Sequence, residues 1–363
     1  MEKPKRIFNK VGTLAIFIGL LTSVQGAFNS GCLVTTLSSI QRRFRLTTFE
    51  SSVILASFDV GVLAMAIPTE LITRNMRRRG LLLGMSSLVM SLAIFFFAFP
   101  HFVITSIGED IQGHLTNISL FCKLDIDPVQ RTSQMSDWMY LFTAVTFLCG
   151  ASLLPIWTTG YAIIEKETDE RSGTRNIAFV NIFGSMLGPV LGLTIGSISI
   201  SFWEQPSLTS DINLTPDDPN WIGAWWIPFM TIGSLGLLAA VPVFCFPDQF
   251  PGTEAIIIER EKERLNLASK ADGNNGFISD LKVIFTNRTW LFGCLGLIAD
   301  NFFLSAALSY INKFQESAFY ISGSLAGIGS AFMIVGGVVG AVVALVLTQR
   351  LDWKISTCKF SQY

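Results

Sequence analysis

Polar side chains set inside long apolar runs are the residues of this chain that could do chemistry. Gln25 and Asn29 stand four apart, on one helical face, in the run that begins at Val11. Asp59, the four-apart pair Trp157 and Tyr161, Asn181, and the adjacent Asp300 and Asn301 sit within four further runs. In hydrocarbon such groups are costly, so they mark the path of a polar solute or the glue between helices. For the amides the plainer alternative is an interhelical hydrogen bond of about 1 kcal/mol. For Asp59 and Asp300 it is a paired or protonated structural carboxyl. His101, one of two histidines, closes the third run. An imidazole there either changes charge in mild acid, as a group titrating near roughly 6.5 does, or is a solvated helix cap. Catalysis has little to work with. The 6 cysteines are scattered without a CxxC pair, no G-x-x-x-x-G-K-[ST] marks an ATP site, and no metal-ligand cluster or water-facing triad stands out. The reading is a non-enzyme without cofactor or metal.

The elements that must hold these residues are membrane helices. Of 363 residues, 50% are hydrophobic and 15% charged, with 30 Phe and a mean hydropathy of +0.50. Soluble domains carry about 25% charged residues. A net charge of −1 gives no footprint for nucleic acid. Eight stretches have the roughly 20 apolar residues that a span requires: Val11–Leu37, Ser51–Ile72, Leu81–Phe99, Trp138–Ile164, Ile177–Phe202, Ile222–Phe246, Thr289–Ile311 and Ser322–Leu347. They lack the alternation of barrel strands, and backbone groups in lipid must bond internally, so the fold class is an all-α bundle. The basic start and the run from Val11 resemble a signal peptide, but the run is too long and lacks a convincing cleavage pattern, so it reads as the first span.

With the N-terminus inside, inner segments hold 20 of the 26 cations and outer segments 6. That bias places both termini in the cytoplasm. The sequons at Asn117 and Asn213 then fall outside and are expected to carry glycan, while the one at Asn287 falls inside and stays bare. No Lys or Arg lies well inside any of the eight runs. Small-residue runs, GSMLGPVLG at 184–192 and GSLAGIGSAFMIVGGVVG at 323–340, are expected to bring helix backbones close. Pro155 and Pro189 are expected to interrupt the fourth and fifth helices.

The stretch DDPNWIGAWW, 217–226, gathers three tryptophans at the doorstep of the sixth run. Indoles favour the membrane interface, where the N–H meets water or headgroups, and Trp221 and Trp225 are spaced to share a helix face. The order of residues is more specific than an aromatic belt. Asp218, Trp221, Ile222, Gly223, Ala224, Trp225, Trp226 and Phe229 match eight of the ten specified positions of the signature D-x-R-W-[IV]-G-A-W-W-x-G-[FL], with Asn220 for the arginine and Pro228 for a glycine. SSIQRRF, SFDVG, PHF at 100–102, GSMLGPVLG and KFQESAFYISGSLAGIGSAFMIVGGVVGAVV follow in the same register. From about Gly12 to Trp353 the chain resembles the organic anion transporting polypeptides.

The resemblance implies a major facilitator-type bundle in which six-helix halves alternate access to a central cavity. On it the chain divides into an N-terminal half (1–246), a cytoplasmic linker (247–288) that is partly helical, two helices of a second half (289–349) and a short tail (350–363). It further implies sodium-independent uptake or exchange of bulky amphipathic anions across the plasma membrane and a role for His101 in pH-dependent uptake; a counter-anion and an oligomer are left open as partners. The family's arginine in the fourth span aligns with Cys149, and its lysine in the first is missing, so an uncharged or weakly polar amphipathic solute suits this half better. The rival reading is a truncated, non-transporting partner of a longer carrier.

Overall fold

A computed structural model describes residues 10–75, 79–104, 137–204, 215, 218, 221–247, 250–260, 262 and 285–350. Seven of its helices are long and apolar enough to cross a membrane. In chain order α1 is Val11–Phe44, α2 Thr48–Asn75, α3 Arg79–Phe97 and α4 Trp138–Glu167. Next, α5 runs as Glu170–Ile182, a wider π turn Phe183–Leu187 and Gly188–Ile200, and α6 as Trp226–Val243. Finally, α7 is Arg288–Phe319 and α8 Gly323–Arg350. Among α8's described side chains the apolar stretch is Gly323–Gly337. All eight expected spans are helical. Residues 254–260 of the linker are also helical. Asn117, Asn213, Cys122 and Cys358 lie outside the described residues.

Several boundaries differ from expectation, α5 starting at Glu170 and α7 ending at Phe319 among them, and two have a clear physical reason. α1 runs on from Leu37 to Phe44, because Arg42 and Arg43 find protein partners rather than ending the helix in water. α6 starts at Trp226, not Ile222. Residues 222–224 are instead extended and pair with the end of α5. Glu204 N donates to Ile222 O at 3.0 Å, and Ala224 N donates to Phe202 O at 2.9 Å. Trp221 and Trp225 therefore do not share a helix face.

α1 is central and packs on α4, α5 and α6. Its crossing with α5 is backbone to backbone. A Cβ on Gly192 would lie 2.1 Å from Ala27 O, one on Gly26 2.4 Å from Gly184 O, and one on Gly188 2.6 Å from Ser23 O. Only glycine permits that approach. Each partner carries a π turn at the crossing, Phe28–Cys32 in α1 and Phe183–Leu187 in α5. The second precedes Pro189, which has no N–H to continue an α-helical ladder. Ser23 of α1 donates to Phe183 O at 2.9 Å, adding a second donor to a carbonyl that Gly188 N also bonds. Pro155, by contrast, is carried inside an uninterrupted α4.

A similar contact joins α2 to α4. A Cβ on Gly150 would lie 2.0 Å from Phe58 O and one on Gly61 2.2 Å from Phe147 O. The small-residue run of α8 behaves as expected only near its start. Gly327 meets Ser197 of α5, whereas Gly336, Gly337 and Gly340 have nothing within 4 Å among the described residues.

Candidate functional site

Two of the signature's tryptophans are core residues rather than a belt, and the third, Trp226, is half-buried against them. Trp225 is fully buried and Trp221 is 6% exposed. Each of the three indole N–H groups bonds to protein: Trp221 to Ile200 O at 2.8 Å, Trp225 to Glu204 Oε1 at 3.2 Å and Trp226 to Glu204 O at 3.0 Å. The cause lies one turn past α5. Glu204 is buried there, and Arg43 Nε donates to its Oε1 at 2.8 Å. His101 Nδ1 lies 3.5 Å from the same oxygen, and its ring stacks on Trp226 with centroids 4.4 Å apart. Burial alone pushes the Glu204 carboxyl up. The His101 hydrogen bond, the Arg43 charge and hydrogen bond, and the Trp225 donor outweigh it and hold the group below its ordinary range. His101 is thus neither a solvated cap nor alone. Asp218 closes the far edge, accepting from Thr215 N at 2.7 Å.

Gly223 is required where it stands, since a Cβ would sit 2.6 Å from Ile200 Cα. Ala224 beside it is fully buried. Pro228, which replaces the signature's second glycine, falls in the first turn of α6, where a missing N–H costs no helical bond. From Trp225 a column of aromatic rings descends into the bundle. Phe44, Phe142, Phe97 and Phe229 follow at centroid spacings of 5.4, 5.0, 4.6 and 4.3 Å, ending on Phe28 in the α1 π turn at 5.8 Å.

At the other end of that crossing the structure gathers three of the residues singled out for solute contact. Tyr161 OH donates to Asn181 Oδ1 at 2.7 Å, bridging α4 and α5. Trp157 packs edge-on against Tyr161, centroids 5.4 Å apart, and lies against Gly184 of the α5 π turn. Its indole N–H is buried without a hydrogen-bond partner among the described residues. Tyr161 is half-buried and Asn181 exposed, so the group faces open space. Gln25 and Asn29 are half-buried, with no bond to a described residue.

The other candidates do not join them. Asp59 is exposed on α2, turned outward as the α2–α4 contact draws Phe58 in. Asp300 is exposed on α7, and Asn301 bonds its own helix at Leu297 O, 2.8 Å away. Cys149 is buried against α3, its thiol 4.0 Å from Met90 O, and so does not line an open face.

Sequence reasoning missed Glu204 and took Arg43 as a topology charge and a member of the SSIQRRF segment, without a partner. Both sit beside apolar runs, where a charge reads as loop. The usable signal was that three indoles in six positions, 221–226, require acceptors.

Comparison with known proteins fits this architecture. A bacterial homologue of the human lysosomal transporter Spinster, solved in an inward-facing and occupied conformation, superposes with a TM-score of 0.60 at 15% identity, covering 92% of this chain and 60% of that one. The fold is that of a major facilitator transporter. Solute carrier organic anion transporter family member 4C1 of Pongo abelii is 25% identical over 363 residues, 97% of this chain and 48% of its own. Member 1A2 of Homo sapiens is 26% identical over 312 residues, 79% of this chain and 46% of its own. The chain spans about half the length of the curated relatives it matches. The family model described as Organic Anion Transporter Polypeptide (OATP) matches residues 13–361, and the chain belongs to that family.

Proposed function

We propose that this chain contributes the solute-binding half of a secondary transporter for bulky amphipathic organic anions, such as bile salts and steroid conjugates. The cycle is alternating access, independent of sodium and ATP, in the plasma membrane with both termini cytoplasmic. Membership of the family supports the solute class. The observation that carries the binding site is the open-faced group Trp157, Tyr161 and Asn181 at the α4–α5 contact. The Trp157 and Tyr161 rings offer an apolar face, and the exposed Asn181 amide beside them offers its NH2 as donor to carbonyl or hydroxyl groups on a rigid apolar body. With no cation in this group, the solute's anionic end is held elsewhere, and this face reads its ring system.

Saturable binding of a labelled steroid sulfate to the purified chain in lipid nanodiscs tests the reading. Trp157→Ala should weaken binding about 10-fold or more, the loss of one well-fitted apolar contact worth on the order of 1–3 kcal/mol. Equal affinity in parent and variant would return Trp157 to packing. Absence of any saturable binding would remove the proposed half-site altogether.

A further inference from the structure

The Trp221 end of the bundle, which the cation count predicts to be extracellular, is closed by polar contacts between two groups of helices. Ser38 on α1 donates to Glu316 Oε2 on α7 at 3.0 Å, and Lys313 Nζ donates to Gln41 Oε1 at 3.1 Å. Ser52 on α2 meets Tyr310 at 2.8 Å, and Ser201 after α5 meets Ser324 on α8 at 2.7 Å. Between them lies a cavity of about 240 Å³, lined in part by Thr35, Ser39, Asp218, Trp221, Tyr320 and Ser322.

One member of this contact set is out of keeping with the rest. Glu316 is a carboxylate that meets its partner across the contact through a hydroxyl. Its other oxygen lies against the start of α8, 2.8 Å from where a Cβ on Gly323 would be. The cations in reach are committed elsewhere: Arg42 Nη1 donates to Trp221 O at 2.9 Å, and Lys313 serves Gln41. Asp218 is the acidic group facing the same cavity from the third side, and the α8 residues there, Ser322, Gly323 and Ser324, carry no charge.

We propose that Glu316 is a proton-binding site coupled to closure of the Trp221 end: the neutral carboxyl favours the closed contact, and the charged one favours withdrawal of α7 and α8 from α1, α2 and α5. Burial pushes the carboxyl up, and the Ser38 hydrogen bond with the Arg42 and Lys313 charges only partly offsets it. In an opened face the group meets water and returns to its ordinary range. The closed form therefore binds the proton more tightly. By linkage, protonation stabilises closure below the ordinary carboxylate range, and that contribution fades as pH rises through the raised value. Only the idea that this end opens rests on the transporter reading. Opening is measured below without transport, so failure here and failure of solute binding are separate results.

The test is thiol labelling of the purified chain in lipid nanodiscs, with Cys122, Cys245, Cys294 and Cys358 replaced by Ser; Cys32 and Cys149 are buried. Ser322→Cys reports on the cavity and Phe49→Cys, at an exposed position, supplies the reference rate. The expected result is a Ser322→Cys rate, relative to reference, that falls several-fold on going from neutral to acidic buffer. Glu316→Gln should give the low rate at both pH values, and Glu316→Asp should retain the dependence. His101→Gln should leave it intact. A dependence that survives Glu316→Gln, that vanishes with His101→Gln, or that is missing from Ser322→Cys itself would overturn the proposal. A Ser201→Cys, Ser324→Cys pair should form a disulfide, faster in acid once corrected for thiol ionisation. No cross-link at any pH would show that the closed contact does not form, which equally overturns it.

Discussion

The two polar clusters of this molecule are built on opposite principles. Around Glu204 the carboxylate is dry and its partners converge on it: Arg43, His101 and Trp225 all reach Oε1, and Trp226 takes the main-chain carbonyl. Around Trp157 the partners are fewer, the face is open, and an indole N–H is left over. A buried carboxylate on which several donors converge fixes one geometry, even with Arg43 Nη1 left without a bond among the described residues, whereas an exposed amide beside aromatic rings is free for a ligand. The difference separates a residue set that shapes the bundle from the one proposed to face a solute.

That contrast breaks most visibly at Glu204. Glu204→Ala would leave the Arg43 guanidinium buried without its carboxylate, a loss on the order of 3–5 kcal/mol. The expected outcome is a chain that misfolds or loses its cooperative thermal transition; near-parental melting would mean the cluster contributes little. Next in size is Gly192→Ala, whose new methyl would meet Ala27 O at 2.1 Å. Separating α1 from α5 should cost about 1–3 kcal/mol of overpacking, read as a lowered melting temperature, with solute binding reduced as well.

Acid sharpens the comparison without a mutation. The Glu204 carboxyl is held low, so its contribution to stability is present above the ordinary glutamate value, about 4.3, and is lost as pH falls through the lower folded value. Thermal stability should hold from neutral down to mild acid and drop only in stronger acid. A loss already complete in mild acid would assign it to another group. Tyr161→Phe should be gentler, removing one hydrogen bond worth about 0.5–1.5 kcal/mol, with binding more affected than melting. The smallest effect belongs to Gly336→Ala. Among the described residues nothing lies within 4 Å of the added methyl, so melting should shift by less than about 0.5 kcal/mol of destabilisation or rise slightly.

The contrast also explains what the sequence could reveal. Span positions were legible because hydropathy sums over a window of about 20 residues and each helix satisfies its own backbone. The Trp157–Tyr161 pair was legible because four-residue spacing on a continuous helix sets a face whatever surrounds it. Trp221 and Trp225 had the same spacing, but the start of α6 moved to Trp226 when residues 222–224 paired with the end of α5. Long-range pairing overrode local periodicity there.

The amino-acid sequence by itself determined eight apolar helices, the small-residue runs of α5 and α8, and the family of the chain. Each of these is written in composition or in residue order over short distances. Only the tertiary structure decided which polar groups are paired. Arg43 and Glu204 are 161 positions apart, and Ser38 and Glu316 are 278 apart. Asp59, Asp300 and Tyr161 look alike in a hydropathy window, yet the crossings at Gly61 and Gly150 turn Asp59 outward, while the bridge to Asn181 joins Tyr161 to α5. A side chain's burial is set by the helix that crosses its own, and that helix is chosen by packing across the whole bundle.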